Sequence, residues 1–212
     1  MDRMEELAEN VRNGDAIRVR DLVQSLIQGG GQANEILDQG LFAGMAVVGK
    51  LFKEEDIFIP EVLMAAKAMQ AGVDVLEPLL TGEAKQATKG KVILGTVKGD
   101  LHDLGKNLVK LMFKGAGFEV IDLGVNVTAE RFVSVAKTEG ARILGMSALL
   151  TTTMPYMKTV IEALEEAGLK GKVRTIVGGA CVTESYAKSI GADGYGQNAS
   201  IAVEKARQLI NT

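Results

Sequence analysis

Apolar residues along the chain change their period once, near residue 90. Before that point they recur at helical spacing: Leu7 and Val11; then Val19, Leu22, Val23, Leu26 and Ile27; then Ile36, Leu37, Leu41, Met45, Val48 and Phe52; then Val62, Leu63, Ala66, Met69, Val73 and Leu76. Spacings of three and four put each set on one face of a helix, so residues 1–80 are expected to form four helices packed as a small bundle. Asp15 is placed to N-cap the second helix, and Gly29-Gly30-Gly31 separates it from the third. The fourth begins at Ile59-Pro60 and runs to about Leu80, with proline tolerated in the first turn. Gly40, Gly44 and Gly49 interrupt the third helix. A glycine costs up to ~1 kcal/mol in a helix interior, and two compensations are open: close contact with another helix, or close approach to a flat ligand.

Thr81 to Gly90 (TGEAKQATKG) has no apolar period and reads as an interdomain linker. Beyond it, short β-branched runs alternate with helical patterns. Strands are predicted at Lys91–Val97, Glu119–Leu123, Ile143–Ser147 and Arg174–Val177, with a short fifth near Asp193–Tyr195. Helices are predicted at about Lys106–Lys114, Ala129–Glu139, Met154–Ala167, Glu184–Ile190 and Ala199–Leu209, Thr128 capping the second. Alternation of this kind gives a doubly wound parallel sheet over residues 91–212. In the flavodoxin-like, Rossmann-type order 2-1-3-4-5, the switch point lies between the first and third strands, and ligands bind at the carboxyl edge there. The fold class is therefore α/β with a helical-bundle cap preceding it.

Composition narrows the function. The chain has 212 residues, 47% hydrophobic and 4% aromatic with no tryptophan, 25 glycines and 3 prolines, which suits close-packed helices and strands and excludes disorder. A net charge of −3 implies no nucleic-acid surface. One cysteine, Cys181, excludes an internal disulfide framework and fits a reducing compartment. The first ten residues are charged, and no apolar run approaches the ~18 residues of a membrane span. The expected location is cytoplasmic.

The only histidine, His102, lies in Gly99-Asp100-Leu101-His102-Asp103-Leu104-Gly105, between the first predicted strand and the helix after it. Asp100, two residues earlier, can hydrogen-bond one ring nitrogen and leave the other as a neutral metal ligand. A zinc site needs three or four protein ligands, so a metal here should arrive already coordinated, inside a macrocycle. Ser147 to Thr153 (SALLTTT) follows the third strand with four hydroxyls; these can face a ligand or cap the next helix. Gly178-Gly179 follows the fourth strand and would let a bulky group lie against bare backbone, or simply make a tight turn. Tyr195 to Ser200 leads into the last helix, and the amides at its start, beginning with Ala199, could meet polar parts of a ligand.

Asp100-Leu101-His102-Asp103-Leu104-Gly105 resembles the Asp-x-His-x-x-Gly signature of cobalamin-binding domains, such as that of methionine synthase. Forty-one residues separate Gly105 from Ser147-Ala148-Leu149, the Ser-x-Leu element, and twenty-eight separate Leu149 from Gly178-Gly179. The resemblance implies that the histidine displaces the cofactor's own nucleotide base and becomes the lower axial ligand of cobalt. It further implies that Ser147 contacts the buried base, that Thr151 lies near the corrin, and that Thr153 closes a relay with Asp100 and His102. Gly99, Leu101, Asp103, Leu104, Gly105, Leu149, Gly178, Gly179, Tyr195 and Ala199 would line the cofactor. Leu51 to Val62 (LFKEEDIFIPEV) resembles the cap over the upper, methyl-bearing face, which would place Phe52, Ile59 and Val62 over the corrin; all three could equally be bundle core.

By this resemblance the chain is similar to the small methyl-carrier subunits of methanol-, methylamine- and methoxyarene-type methyltransferase systems. Its cofactor would be cobalamin, as methylcobalamin or a related corrinoid. Its partners would be a substrate:corrinoid methyltransferase, a methylcorrinoid:tetrahydrofolate or thiol methyltransferase, and a reductive activator. Alone it would be a carrier and not a complete enzyme. Two alternatives remain: a cobalamin-dependent sensor, and the cobalamin subunit of an adenosylcobalamin mutase.

Overall fold

The computed structural model describes residues 2–80 and 89–210. Packing divides the chain into two compact units, Met1–Lys89 with Lys114–Gly117, and Gly90–Phe113 with Phe118–Thr212. Residues 81–88 of the expected linker lie outside the described residues.

The first unit is helical. Helix α1 (Arg3–Arg12) opens with a capping box between Asp2 and Glu5, and α2 (Ala16–Gln28) is capped by Asp15, whose carboxylate accepts the Arg18 amide at 2.9 Å. The third predicted helix is continuous only in outline. It comprises α3 (Ala33–Glu35), a π-helical stretch (Ile36–Phe42) and α4 (Ala43–Lys53). Ile36 and Leu41, five residues apart, are both buried there, a spacing that the i→i+5 ladder of a π turn accommodates. Helix α5 (Ile59–Leu76) has Pro60 in its first turn and buries Val62, Ala66, Met69 and Leu76, whereas Leu63, assigned to the same face from its spacing, is 39% exposed. Two of the glycines of the third helix answer to close helix contact: a Cβ on Gly40 would overlap the Leu7 side chain, and one on Gly44 would lie 2.6 Å from the Ala8 carbonyl oxygen.

The second unit is a five-stranded, all-parallel sheet in the order β2-β1-β3-β4-β5, the order expected from the sequence. The strands are β1 (Lys91–Thr96), β2 (Glu119–Asp122), β3 (Ile143–Ser147), β4 (Arg174–Gly178) and β5 (Gly194–Gly196). Helices α6 (Leu104–Gly115), α7 (Ala129–Glu139), α8 (Tyr156–Glu166), α9 (Glu184–Ser189) and α10 (Ala199–Ile210) alternate with them. Phe132, Leu144, Met157, Val160 and Val177 are core residues of this unit. Helix α6 starts two residues before its predicted start, because the Asp103 carbonyl accepts the Asn107 amide at 2.7 Å and draws Leu104 and Gly105 into the first turn.

Register fixes what meets at the carboxyl edge. Thr96 pairs with Ser147, Ser147 with Gly178, and Gly178 with Gly196, so four strands end in one row. Three of the loops beyond this edge, after β1, β3 and β4, carry the candidate motifs.

Candidate functional site

The centre of the site is a buried carboxylate. Asp100 has no solvent exposure. Its Oδ1 accepts the His102 amide at 3.0 Å and lies 2.7 Å from His102 Nδ1. Its Oδ2 accepts the Leu149 amide at 2.8 Å, the Leu150 amide at 3.4 Å and the Thr153 hydroxyl at 2.7 Å. Burial alone would raise the carboxyl, but the Thr153 hydroxyl, the His102 and Leu149 amides and the His102 ring outweigh it and hold it well below the usual carboxylate range. Asp100 is therefore ionised and can only accept.

That settles the tautomer beside it. A carboxylate at Nδ1 requires the ring hydrogen there, so Nε2 carries the lone pair. The imidazole is half in solvent, its side chain 51% exposed, while the group that orients it is wholly covered. Thr153 is committed to Asp100 and does not cap the following helix: α8 starts at Tyr156 without a side-chain cap.

A second layer lies beneath. Thr96, fully buried at the end of β1, donates to the His102 carbonyl at 3.0 Å, and its Oγ1 is 2.9 Å from Ser147 Oγ. Asn126, in the loop after β2, adopts φ 55°; its Oδ1 accepts the Gly99 amide at 2.8 Å and its own amide donates to the Asp100 carbonyl at 3.0 Å. Behind the loop, the buried Lys106 amine donates to Asp122 at 2.7 Å and to Asn107 at 3.0 Å, and Lys110 donates to the other Asp122 oxygen at 2.8 Å. Burial would raise the Asp122 carboxyl; the two lysines and the Gly124 amide bring it down to about 2. Thr96, Asn126 and Lys106 were not anticipated from the sequence. The one available signal was a hydroxyl ending the otherwise apolar run KVILGT.

The rim has the character of a bed for a flat apolar body. Leu101 and Leu104 are 70% and 72% exposed, and Leu149 and Leu150 are both 42% exposed. Space beside Gly105 is open. Gly179 has φ +127°, and a Cβ there would overlap the Ala148 carbonyl oxygen; one on Gly178 would lie 2.7 Å from the Gly196 carbonyl oxygen. Asp103 and Thr151 are exposed, Tyr195 is half-buried and Ala199 is buried at the start of α10. Asp100, His102, Leu149 and Thr153 thus form one hydrogen-bonded cluster, adjoined by Ser147 and the glycine pair. The cap candidates belong to the helical unit, where Phe52 is half-buried, Ile59 39% exposed and Val62 fully buried.

Among the described residues, no group of three His, Cys, Asp or Glu could hold a metal ion, so the donor set offers one imidazole nitrogen. This fits a metal that brings its own equatorial ligands in a macrocycle, and the leucine rim and the open space beside Gly105 suit the macrocycle's apolar face. No described helix is long and apolar enough to cross a membrane.

Comparison with known proteins agrees with this geometry. Two models described as B12 binding domain match residues 90–204 and residues 3–77. A corrinoid protein of Desulfitobacterium hafniense is 42% identical over 212 residues, covering 99% of this chain and 98% of the relative. Dimethylamine corrinoid protein 1 of Methanosarcina acetivorans is 47% identical over 177 residues, covering 84% of this chain and 83% of its own. Among solved structures, a chain of the methanol:cobalamin methyltransferase complex of Methanosarcina barkeri superposes with a TM-score of 0.88 at 32% identity, covering 99% of this chain and 80% of that one.

Proposed function

This chain belongs to the B12-binding family of corrinoid proteins, and from that premise we propose that it carries a methyl group on cobalamin between two methyltransferases, with His102 as the lower axial ligand. The observation that carries the proposal is the Asp100 carboxylate, fully buried and 2.7 Å from Nδ1 of a half-exposed imidazole whose Nε2 is left free.

When bound, the corrin cobalt supplies the chemistry, accepting a methyl group from one donor and passing it to another acceptor. The protein's residues supply position and proton control. His102 Nε2 would hold the axial place, and Asp100 keeps the proton on Nδ1. Thr153 and the Leu149 amide fix Asp100 from its other oxygen. The leucine rim at 101, 104, 149 and 150 would exclude water from the lower face. Ser147 with Gly178 and Gly179 would receive the displaced nucleotide tail.

A substrate-specific methyltransferase would load the protein, a tetrahydrofolate or thiol methyltransferase would unload it, and a reductive activator would rescue cobalt(II). The likeness to dimethylamine corrinoid proteins and to a chain of a methanol:cobalamin methyltransferase complex supports the pairing with a substrate-specific methyltransferase. The test is electron paramagnetic resonance of the cobalt(II) protein, in which an axial nitrogen splits the cobalt lines into triplets. His102→Ala should retain cofactor through its tail and lose the triplets. Triplets that persist in the variant would assign the axial nitrogen to the cofactor's own base or to another residue.

A further inference from the structure

Thr96 has one hydroxyl hydrogen and two neighbours that bear on it. Its Oγ1 donates to the His102 carbonyl at 3.0 Å, and this oxygen can only accept. Ser147 Oγ lies 2.9 Å away on the other side, where either oxygen can be the donor. With the Thr96 hydrogen spent on His102, the Ser147 hydrogen must point inward to Thr96. The outward side of Ser147 then offers only lone pairs.

A displaced nucleotide base brings a ring nitrogen with a free lone pair, which is an acceptor. It cannot bond to Ser147 in the inward order. Satisfying it requires Ser147 to donate outward, Thr96 to donate to Ser147, and the His102 carbonyl to lose its buried donor. We infer that Thr96 is a specificity-determining residue that orders these two hydroxyl hydrogens, so that seating the base in the Ser147 pocket releases the backbone carbonyl of the axial histidine. The inference rests on the cofactor-binding reading above. It has an unusual consequence. In the native protein the bond gained at the base is offset by the bond lost at His102, so the protein discriminates only weakly for a base-bearing tail. Coupling of this kind is reciprocal: a His102 loop that holds its carbonyl bond disfavours the base, and a seated base frees the loop.

The experiment compares two corrinoids, cobalamin and cobinamide, which lacks the nucleotide base, by calorimetric titration into the full chain. The cost of displacing the base from cobalt is common to all variants and cancels in their comparison. Thr96→Val removes the relay, leaves Ser147 free to donate outward, and should raise the cobalamin-to-cobinamide affinity ratio about two- to tenfold, the value of one net hydrogen bond. Thr96→Ser keeps the hydroxyl and should leave the ratio at its native value. A merely structural role for Thr96 would weaken both corrinoids together and would not raise the ratio.

A second measurement needs no variant. Because the chain has a single histidine, histidine labelled with carbon-13 at its carbonyl gives one signal. In the diamagnetic cobalt(III) protein that signal should move upfield with cobalamin, as the carbonyl loses its donor, and keep its hydrogen-bonded position with cobinamide. An unchanged or lowered ratio in Thr96→Val, or the same carbonyl position with both corrinoids, overturns the proton ordering while leaving the cofactor assignment in place. A native protein that binds neither corrinoid overturns both.

Discussion

Replacing Asp100 with asparagine tests how the buried carboxylate sets the site, because the two side chains have nearly the same shape and opposite hydrogen-bonding demands. Oδ1 faces two groups, the His102 amide and Nδ1; Oδ2 faces three, the Leu149 and Leu150 amides and the Thr153 hydroxyl. An amide NH2 in the Oδ2 position confronts the Leu149 N–H. The Thr153 hydroxyl can turn to the Leu150 carbonyl, 3.0 Å away, but the Leu149 amide has no such recourse in that cluster. An NH2 in the Oδ1 position confronts the His102 N–H and forces Nδ1 to accept, which moves the ring hydrogen to Nε2 and removes the lone pair that would bind cobalt. Either way at least one part-buried N–H loses its partner, at about 1–3 kcal/mol, and the remaining bonds lose their ionic acceptor. The expected destabilisation of the sheet unit is about 3 kcal/mol.

Urea unfolding followed by circular dichroism measures that loss, and the intensity of the nitrogen triplets in the cobalt(II) spectrum measures the tautomer. The pH dependence gives a third reading. The native Asp100 carboxyl is held below its unfolded value of about 4, so its contribution is fully present above that pH and is lost as the pH falls through the lower, folded value. The stability gap between native protein and Asp100→Asn should be present above about pH 4 and should close at lower pH. A variant within about 0.5 kcal/mol of the native protein, with undiminished triplets, would refute the reasoning from hydrogen bonds to tautomer.

Two further substitutions probe the frame around this centre. Gly179→Ala places a Cβ into the Ala148 carbonyl oxygen at φ +127° and should cost about 2 kcal/mol or more in thermal stability and abolish cofactor retention on gel filtration. Lys106→Met removes the first of two lysines from Asp122; its carboxyl should rise from about 2 toward the ordinary range, as followed by NMR titration, and the acid-unfolding midpoint should move to higher pH.

The strand order and the placing of the histidine, serine and glycine motifs at one sheet edge were legible because buried parallel strands leave short β-branched runs with little ambiguity in period. Once those runs are aligned, the loops after the first and third strands flank the switch point; the register that pairs Thr96 with Ser147 is set by the sheet itself. Asp15 as a cap was equally legible, since capping is local chemistry. The π turn at 36–42 was not: a five-residue inward spacing sits inside a pattern that threes and fours already explain. Lys106 reads as a solvent-facing lysine on an amphipathic helix, yet its side chain is only 3% exposed, because the partner that permits its burial, Asp122, is brought to it from the end of β2. Thr96 reads as an ordinary β-forming threonine. Its importance lies in two acceptors brought to it by tertiary contact, and nothing local encodes them.

The division of burial between Asp100 and His102 suits the proposed role, in which the imidazole would engage a metal and let go. A wholly exposed pair would compete with water for every bond and hold no single tautomer. A wholly buried ring could not pivot without opening the core. Here the carboxylate is covered and held by two loops, with the Asn126 loop bracketing its backbone, while half of the imidazole surface lies outside. The tether runs through Nδ1 alone, so motion of Nε2 toward or away from an axial position swings the ring about the 2.7 Å bond to Asp100 without breaking it. In the proposed role, letting go of a metal would then cost the protein none of the bonds that define the tautomer. Re-engagement would find the same nitrogen carrying the lone pair, because the carboxylate holds the ring hydrogen on Nδ1. The buried aspartate would thereby keep the proposed ligand atom the same through each cycle of release and return.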